Sequence, residues 1–180
     1  MNTRPKSASF LKECMADALL LLMRQEPFSR ITICQIVQAA GVHRSTWFRH
    51  FRTKNEALTF KLVQLWNRWA DEHGMQEPLR YTLGNAGSFF AFSYSIRETL
   101  TLLYRSELSP CIYDAFYQIM IPHFASDASV YYEARFYAYG LFGFLDEWIN
   151  RNFRESPEQL AALFQKMTGT EAPPEGPSRP

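Results

Sequence analysis

Residues 31–58, ITICQIVQAAGVHRSTWFRHFRTKNEAL, contain two short helical patterns separated by a glycine. The first pattern begins at Thr32 and has Gln35 three residues later, which is the spacing of an N-terminal capping box. Gly41 follows it, at the position where a helix commonly ends in a left-handed residue. A second short helix is predicted over residues 43–50. The stretch therefore predicts two short helices joined by a tight turn.

The rest of the chain also has helical patterns, and we find no convincing strand and no internal repeat. An amphipathic helix precedes the quoted stretch, with apolar residues at helical spacing. Further helices are predicted over residues 53–73, 82–95, 96–106 and 128–152, with one more preceded by Ser109 as its N-cap and a last one preceded by Ser156 as its N-cap. Thr53 with Glu56, and Ser156 with Gln159, repeat the capping-box spacing. We therefore predict an all-α fold.

The charge is divided unevenly along the chain. Residues 1–73 contain 11 lysines and arginines against 6 acidic residues, whereas residues 74–180 contain 8 against 12. A basic first part and an acidic second part indicate a polyanionic partner for the first part only. Three regions are predicted: a basic helical domain over 1–52, a second helical domain over 53–168, and a proline-rich disordered tail over 169–180.

Several classes of site are disfavoured by the residues themselves. The three cysteines form no CxxC pair, so we predict neither a disulfide framework nor a zinc site, and we expect each to be a small buried residue. His43 and His50 are about 10 Å apart along a helix, too far for one metal ion. No apolar run approaches a membrane span and no signal peptide opens the chain, so a cytoplasmic location is expected. No cofactor, metal or catalytic set is predicted.

The paired helices and their turn have the layout of a helix-turn-helix, whose second helix lies in the major groove of DNA. Helical periodicity places Arg44, Ser45 and Arg49 near one face of that second helix. The residues expected to fix the angle between the two helices are Ile36, Val37, Ala40, Val42 and Trp47.

Residues 31–58 resemble the DNA-binding region of the TetR family of transcriptional regulators. The matching positions are Ile31, Thr32, Ile36, Ala40, Gly41, Val42, Thr46, Trp47, Phe48, His50, Phe51, Lys54 and Leu58. Residues 139–167 are more weakly similar to the dimerisation end of a subgroup of that family. The resemblance covers most of residues 8–168. It implies that the domain over 1–52 is a helix-turn-helix DNA-binding domain and that the domain over 53–168 dimerises and binds a ligand.

The resemblance implies a role for each matching position in the first part of the chain. Arg44, Ser45, Thr46 and Arg49 stand where the family reads bases and nearby backbone, and Thr32, His50 and Lys54 stand where it contacts phosphates. Two positions depart from the family pattern: Phe48 replaces a usual Tyr, and His43 replaces a usual capping residue. The DNA-binding residues expected are Thr32, Arg44, Ser45, Thr46, Phe48, Arg49, His50 and Lys54.

The second part of the chain is expected to dimerise. Residues 128–152 are apolar nearly all round, so they are predicted to pack on a partner as well as on their own core, the alternative being a helix buried within a monomer. A two-fold dimer would match a palindromic operator. The interface residues expected are Tyr139, Gly140, Phe142, Gly143, Glu147, Trp148, Leu160 and Phe164.

The resemblance also implies a small-molecule effector pocket among the middle helices, although periodic aromatics are often plain core. The pocket residues expected are Phe89, Phe92, Tyr104, Tyr113, Phe116 and Tyr117. The sequence thus predicts a homodimeric, sequence-specific DNA-binding regulator, and leaves open whether it represses or activates. Two alternatives remain: an interaction protein that kept the fold without specific DNA binding, and a helical enzyme.

Overall fold

The computed structural model describes residues 7–75, 86–120 and 128–169, and within these ranges it contains nine α-helices and no strand. The all-α prediction is confirmed. The helices are α1 (Ala8–Met23), α2 (Ile33–Ala39), α3 (Arg44–His50), α4 (Lys54–Glu72), α5 (Ala86–Ser95), α6 (Arg97–Arg105), α7 (Ser109–Met120), α8 (Ala128–Asn150) and α9 (Pro157–Thr168). None of the helices in the described ranges has the length and apolar character needed to cross a membrane.

The chain forms two compact units. The first unit consists of Met1–Arg68 and Glu98–Ile119, and the second of Trp69–Arg97 and Met120–Pro180. Each unit therefore combines two separate segments of the sequence. The domain boundaries predicted at residues 52 and 168 stay predictions.

The core of the first unit includes the apolar faces of α1 to α4, together with buried residues of α6 and α7. Met15 and Leu19 on α1 are buried, as are Ile36 on α2, Trp47 on α3 and Leu58 on α4. Burying a side chain of this size contributes roughly 1.5–3 kcal/mol relative to leaving it in water. Short helices such as α2 and α3 are marginal alone, so their packing against α1 supplies the stability that their length does not.

An ion-pair network joins α1 to α4 inside the first unit. The Lys61 ammonium is buried and lies 3.2 Å from Glu13 Oε1 and 2.6 Å from Asp17 Oδ1. Arg68 also donates to Glu13. Burial alone would raise the pKa of Glu13, but the hydrogen bonds and positive charges of Lys61 and Arg68 outweigh it and hold the pKa below the usual 4.5.

This network predicts an acid-sensitive contribution to stability. Because the pKa of Glu13 is lower in the folded protein, its contribution is present above pH 4.5 and is lost as the pH falls through the lowered value. Glu13→Gln should therefore flatten the dependence of the unfolding free energy on pH below about 4.5, measured by urea unfolding at a series of pH values. Glu72→Gln, at an exposed position, should leave the slope unchanged. Equal slopes for Glu13→Gln and wild type would contradict the prediction.

The core of the second unit is aromatic. The Phe90 ring on α5 lies 6.0 Å from the Trp148 ring on α8 and 6.1 Å from the Phe164 ring on α9, both edge-on. Trp148 Nε1 donates to the Glu155 carbonyl oxygen at 3.0 Å, so its one polar atom is satisfied although the ring is buried. These ring contacts hold α5 against α8 and α9, and the Phe144 ring on α8 also lies 5.2 Å from the Phe164 ring on α9.

The helix boundaries follow the predicted capping chemistry with two exceptions. The reciprocal hydrogen bonds of a capping box are present at Thr32 and Gln35 and at Ser156 and Gln159. The box expected at residues 53 and 56 is incomplete: Glu56 N donates to the Thr53 hydroxyl, but the Glu56 carboxylate accepts from Arg52 N. Ser109, expected as an N-cap, is already the first residue of α7.

The expectation of three buried cysteines is confirmed for Cys111 only. Cys111 is buried and Cys14 is half-buried, whereas Cys34 is exposed. Cys34 lies on the outer side of α2, because the buried positions of that short helix are Ile36 and Val37. Burial raises the pKa of the Cys111 thiol.

Candidate nucleic-acid interface

The turn between α2 and α3 is fixed by Gly41, whose φ of +64° lies in the left-handed region that favours glycine. Val42 N donates to the Val37 carbonyl oxygen at 3.0 Å, the longer hydrogen bond of a Schellman motif. The Gly41 and Val42 amides therefore cap the free carbonyls of α2 while the chain reverses direction. This geometry sets the angle at which α3 leaves α2.

The inner side of α3 is held by aromatic packing. The Trp47 side chain is 0% exposed, and its ring lies 5.2 Å from the Phe51 ring, which is also buried. Phe51 in turn lies 5.8 Å from Phe60 on α4. The orientation of α3 about its own axis is set by these contacts.

The outer side of α3 carries the predicted DNA-reading residues. Arg44, Ser45, Phe48 and Arg49 are all exposed, at positions that share one helical face. Thr46 and His50 are half-buried at its edges. This face presents two guanidinium groups, a hydroxyl and an aromatic ring.

The start of α3 lacks a side-chain cap. His43 is the N-cap residue by its backbone conformation, but its side chain makes no capping hydrogen bond. Thr46 N donates to the His43 carbonyl oxygen at 2.9 Å instead. The guanidinium of Arg44, the first residue of α3, lies over the ring of Phe48 one helical turn further along, with Cζ 5.4 Å from the ring centroid.

Lys54 is largely engaged within the protein. Its Nζ donates to the carbonyl oxygens of Phe28 at 2.6 Å and Ile31 at 2.8 Å, and lies 4.1 Å from the centroid of the Phe28 ring. Partial burial lowers the pKa of Lys54. An ammonium has three N–H groups, so one remains beyond these two hydrogen bonds. The side chain joins the start of α4 to the loop before α2.

Thr32 is exposed and serves first as a helix cap. Its hydroxyl accepts from Gln35 N at 3.2 Å and donates to Gln35 Oε1 at 2.7 Å. Gln35 Nε2 donates to Glu26 Oε1 at 2.8 Å, which holds the amide in this orientation. The start of α2 is therefore ordered by its own residues.

A groove between α8 and α9 lies in the second unit and has a volume of about 680 Å³. The groove residues are Tyr139, Gly140, Gly143, Phe144, Glu147, Trp148, Arg151, Glu155, Leu160 and Leu163. Tyr139 is 57% exposed at its edge. An ideal Cβ added to Gly140 or Gly143 would meet no atom of the described residues within 4 Å, so these residues leave open space over both glycines.

Six of the eight residues expected at the dimer interface line this groove. Phe142 and Phe164 do not line it, and Phe164 is buried in the core of the unit. Leu163 lines the groove but is not among the predicted interface residues, although it follows Leu160 by three residues on α9, a spacing that places both on one face. Arg151 and Glu155 also line the groove without having been predicted, and their side chains form an ion pair with Arg151 Nη2 2.6 Å from Glu155 Oε1.

Comparison with known families is decisive for the second part of the chain. Residues 72–169, more than half of the chain, match the family model TetR_C_8, described as a transcriptional regulator C-terminal region. The chain belongs to the TetR family. It is therefore a transcriptional regulator, and the family predicted from residues 31–58 is confirmed by a match that lies outside those residues. A comparison with curated proteins finds none that matches the chain.

The effector pocket implied by the TetR resemblance stays a prediction. Phe89, Phe92 and Phe116 are buried, and Tyr104, Tyr113 and Tyr117 are half-buried. Phe89 and Phe92 belong to the second unit and the other four to the first. None of the six lines the α8–α9 groove. Within the first unit the Tyr113 and Tyr117 rings stack 6.4 Å apart.

Proposed function

We propose that this TetR-family protein is a cytoplasmic, sequence-specific DNA-binding regulator that acts as a homodimer on a palindromic operator. The observation that carries the proposal is the division of α3 into two sides. Buried Trp47 fixes the helix from within, while Arg44, Ser45 and Arg49 are exposed together on the outer side. A helix held in this way after a tight turn fits the major groove.

The bases would be read by the exposed face of α3. A guanidinium can bridge O6 and N7 of guanine, so Arg44 and Arg49 are the proposed guanine readers. Ser45 and Thr46 carry hydroxyls that can donate to or accept from base edges and the nearby backbone. Specific recognition would then come from a few side chains on one turn and a half of helix.

Phosphates on either side of the groove would be held by Thr32, His50 and Lys54. The third N–H of Lys54 would donate to a phosphate oxygen while the other two hold the loop. Such contacts give affinity without sequence preference and weaken with salt, because binding releases the counterions of DNA. The excess of basic residues in the first part of the chain supports this assignment.

The homodimer would form through the α8–α9 groove. Exposed Tyr139, the open space over Gly140 and Gly143, and the apolar lining support close packing of a second copy there. An isologous interface would present two copies of α3 to two half-sites.

An effector, if bound among the predicted aromatic residues, would act by changing the separation of the two recognition helices. It would have to bind the two states of the dimer with different affinity, because only a difference in affinity shifts a population. Ligands that stabilise the protein against heat are candidates, and each should then change operator affinity.

The function is tested by selecting DNA from a random pool with the purified full-length protein. We expect a palindromic consensus whose half-sites are about one helical turn apart, and an affinity that falls steeply with salt. Selection of no common sequence would contradict specific DNA binding.

The dimer is tested by Gly143→Leu. Within one protomer the added Cβ would meet none of the described atoms within 4 Å, and leucine improves helix propensity by somewhat less than about 1 kcal/mol, so the protomer should fold normally. In a symmetric interface it is introduced twice, and overpacking costs roughly 1–3 kcal/mol each time. The dissociation constant of the dimer should therefore rise by at least about 30-fold in sedimentation experiments.

A matched control places the same leucine on α8 outside the groove. Asn150 is exposed and is not a groove residue, so Asn150→Leu should leave dimerisation unchanged. Unchanged dimerisation of both variants would rule out the groove as the interface.

The second candidate function is an interaction protein that kept this fold without specific DNA binding. The observations that favour it are the missing side-chain cap at His43 and the missing hydroxyl at Phe48. Salt-independent binding to a protein partner, with no selected DNA sequence, would support it over the first proposal.

A further inference from the structure

An aromatic ring occupies the middle of the surface proposed to read bases. Phe48 is 54% exposed, and it lies on the same outer face of α3 as Arg44, Ser45 and Arg49. The ring carries no polar atom, so it cannot donate a hydrogen bond to a phosphate or to a base edge. Apart from the contact of its face with the Arg44 guanidinium, the exposed ring has no role that hydrogen bonding explains.

We propose that Phe48 reads the C5-methyl group of a thymine, beside a guanine read by Arg44. The inference rests on the proposed function and adds a specificity-determining residue to it. In the major groove the thymine methyl is the one apolar group that a base pair of unmodified DNA presents, and phenylalanine is among the side chains suited to contact it. The thymine methyl group is therefore the one group on a base pair that chemically matches an exposed aromatic ring on α3.

The contact between Arg44 and Phe48 defines where that thymine lies. The guanidinium carbon is 5.4 Å from the ring centroid, and the ring face attracts the cation. Successive base pairs are about 3.4 Å apart, so two groups at this separation reach bases one or two steps apart. The Phe48 ring also limits the conformations open to Arg44, since the side chain rests against it. Each half-site is then expected to contain a thymine one or two base pairs from the guanine that Arg44 reads.

Uracil in place of thymine removes the methyl group and leaves every hydrogen-bonding atom of the base pair. We expect one thymine in each half-site of the selected operator at which this replacement weakens wild-type binding by roughly fourfold, the value of one buried methyl group. Replacement in both half-sites should weaken it by about fifteenfold. All measurements use the full-length protein at one salt concentration, because affinity depends on salt.

Three variants assign the methyl contact to the ring. Phe48→Ala should bind the thymine and uracil operators equally at that position, and Phe48→Tyr, which keeps the ring, should retain the difference. Leu21 on α1 is also 54% exposed in the first unit, so Leu21→Ala is a matched loss of exposed apolar surface outside the reading face. It should leave both the affinity and the uracil effect unchanged.

The outcomes separate this inference from the function on which it rests. A selected operator whose thymines can all be replaced without effect would overturn the methyl contact and leave specific DNA binding intact. The same uracil effect in wild type and Phe48→Ala would also overturn it. Failure to select any common sequence would instead remove the proposed function itself.

Discussion

Replacing Arg44 or Arg49 by alanine is expected to weaken operator binding by between about 30-fold and about 10⁴-fold. A bidentate contact from arginine to guanine contributes roughly 1–3 kcal/mol of discrimination, and a dimer on a palindrome makes each contact twice. Both side chains are exposed on α3, so their removal should leave the fold intact. The loss should therefore be one of binding, measured by shift assay or fluorescence anisotropy on the selected operator.

The pattern of the loss carries more information than its size. A variant that has lost a base contact should discriminate less well at one position of each half-site while retaining its binding to unrelated DNA. Arg105→Ala is a suitable control, because Arg105 is an exposed arginine of the first unit at the end of α6. It removes one positive charge without touching α3, and it should preserve the selected sequence. Equal affinity for the operator in wild type, Arg44→Ala and Arg49→Ala would contradict the proposed reading surface.

The helix-turn-helix could be predicted because its signals are local. The capping box at Thr32 and Gln35 and the left-handed Gly41 depend on residues a few positions apart, and both are present in the structure. The helical period also placed Arg44, Ser45 and Arg49 together on one face. Features whose causes lie within one or two helical turns can be recognised from sequence alone.

Features that depend on distant residues could not be predicted in the same way. The position of Lys54 suggested a phosphate contact, but its two hydrogen bonds to Phe28 and Ile31 join residues more than 20 positions apart. Likewise, α8 is apolar nearly all round, and only packing within the second unit determines which side stays exposed: Phe136 is 72% exposed, whereas Trp148 is buried. Composition alone does not show which of these two aromatic residues is buried.

Trp47→Ala should cost about 3–5 kcal/mol of folding stability, a large part of the total for a small helical protein. The side chain is fully buried and packs on Phe51, so its truncation leaves a cavity beneath α3. We expect a clear fall in the urea midpoint and loss of operator binding, because α3 would no longer be held in one orientation. Trp47→Phe should lose less than half as much folding stability as Trp47→Ala. It keeps an aromatic ring and removes an indole N–H that has no partner among the described residues.

The neighbouring aromatic provides the matched control. Phe48 is on the same helix but faces outward, so Phe48→Ala should change the unfolding free energy by no more than about 0.5 kcal/mol while reducing operator binding. The two variants therefore separate the two sides of α3: one loses stability and binding together, and the other loses binding alone. If Phe48→Ala destabilised the protein as much as Trp47→Ala, the division of α3 into a buried side and a reading side would be wrong. That division is the physical basis of the DNA-binding proposal, because a reading face can be exposed and precise only if the opposite face is fixed.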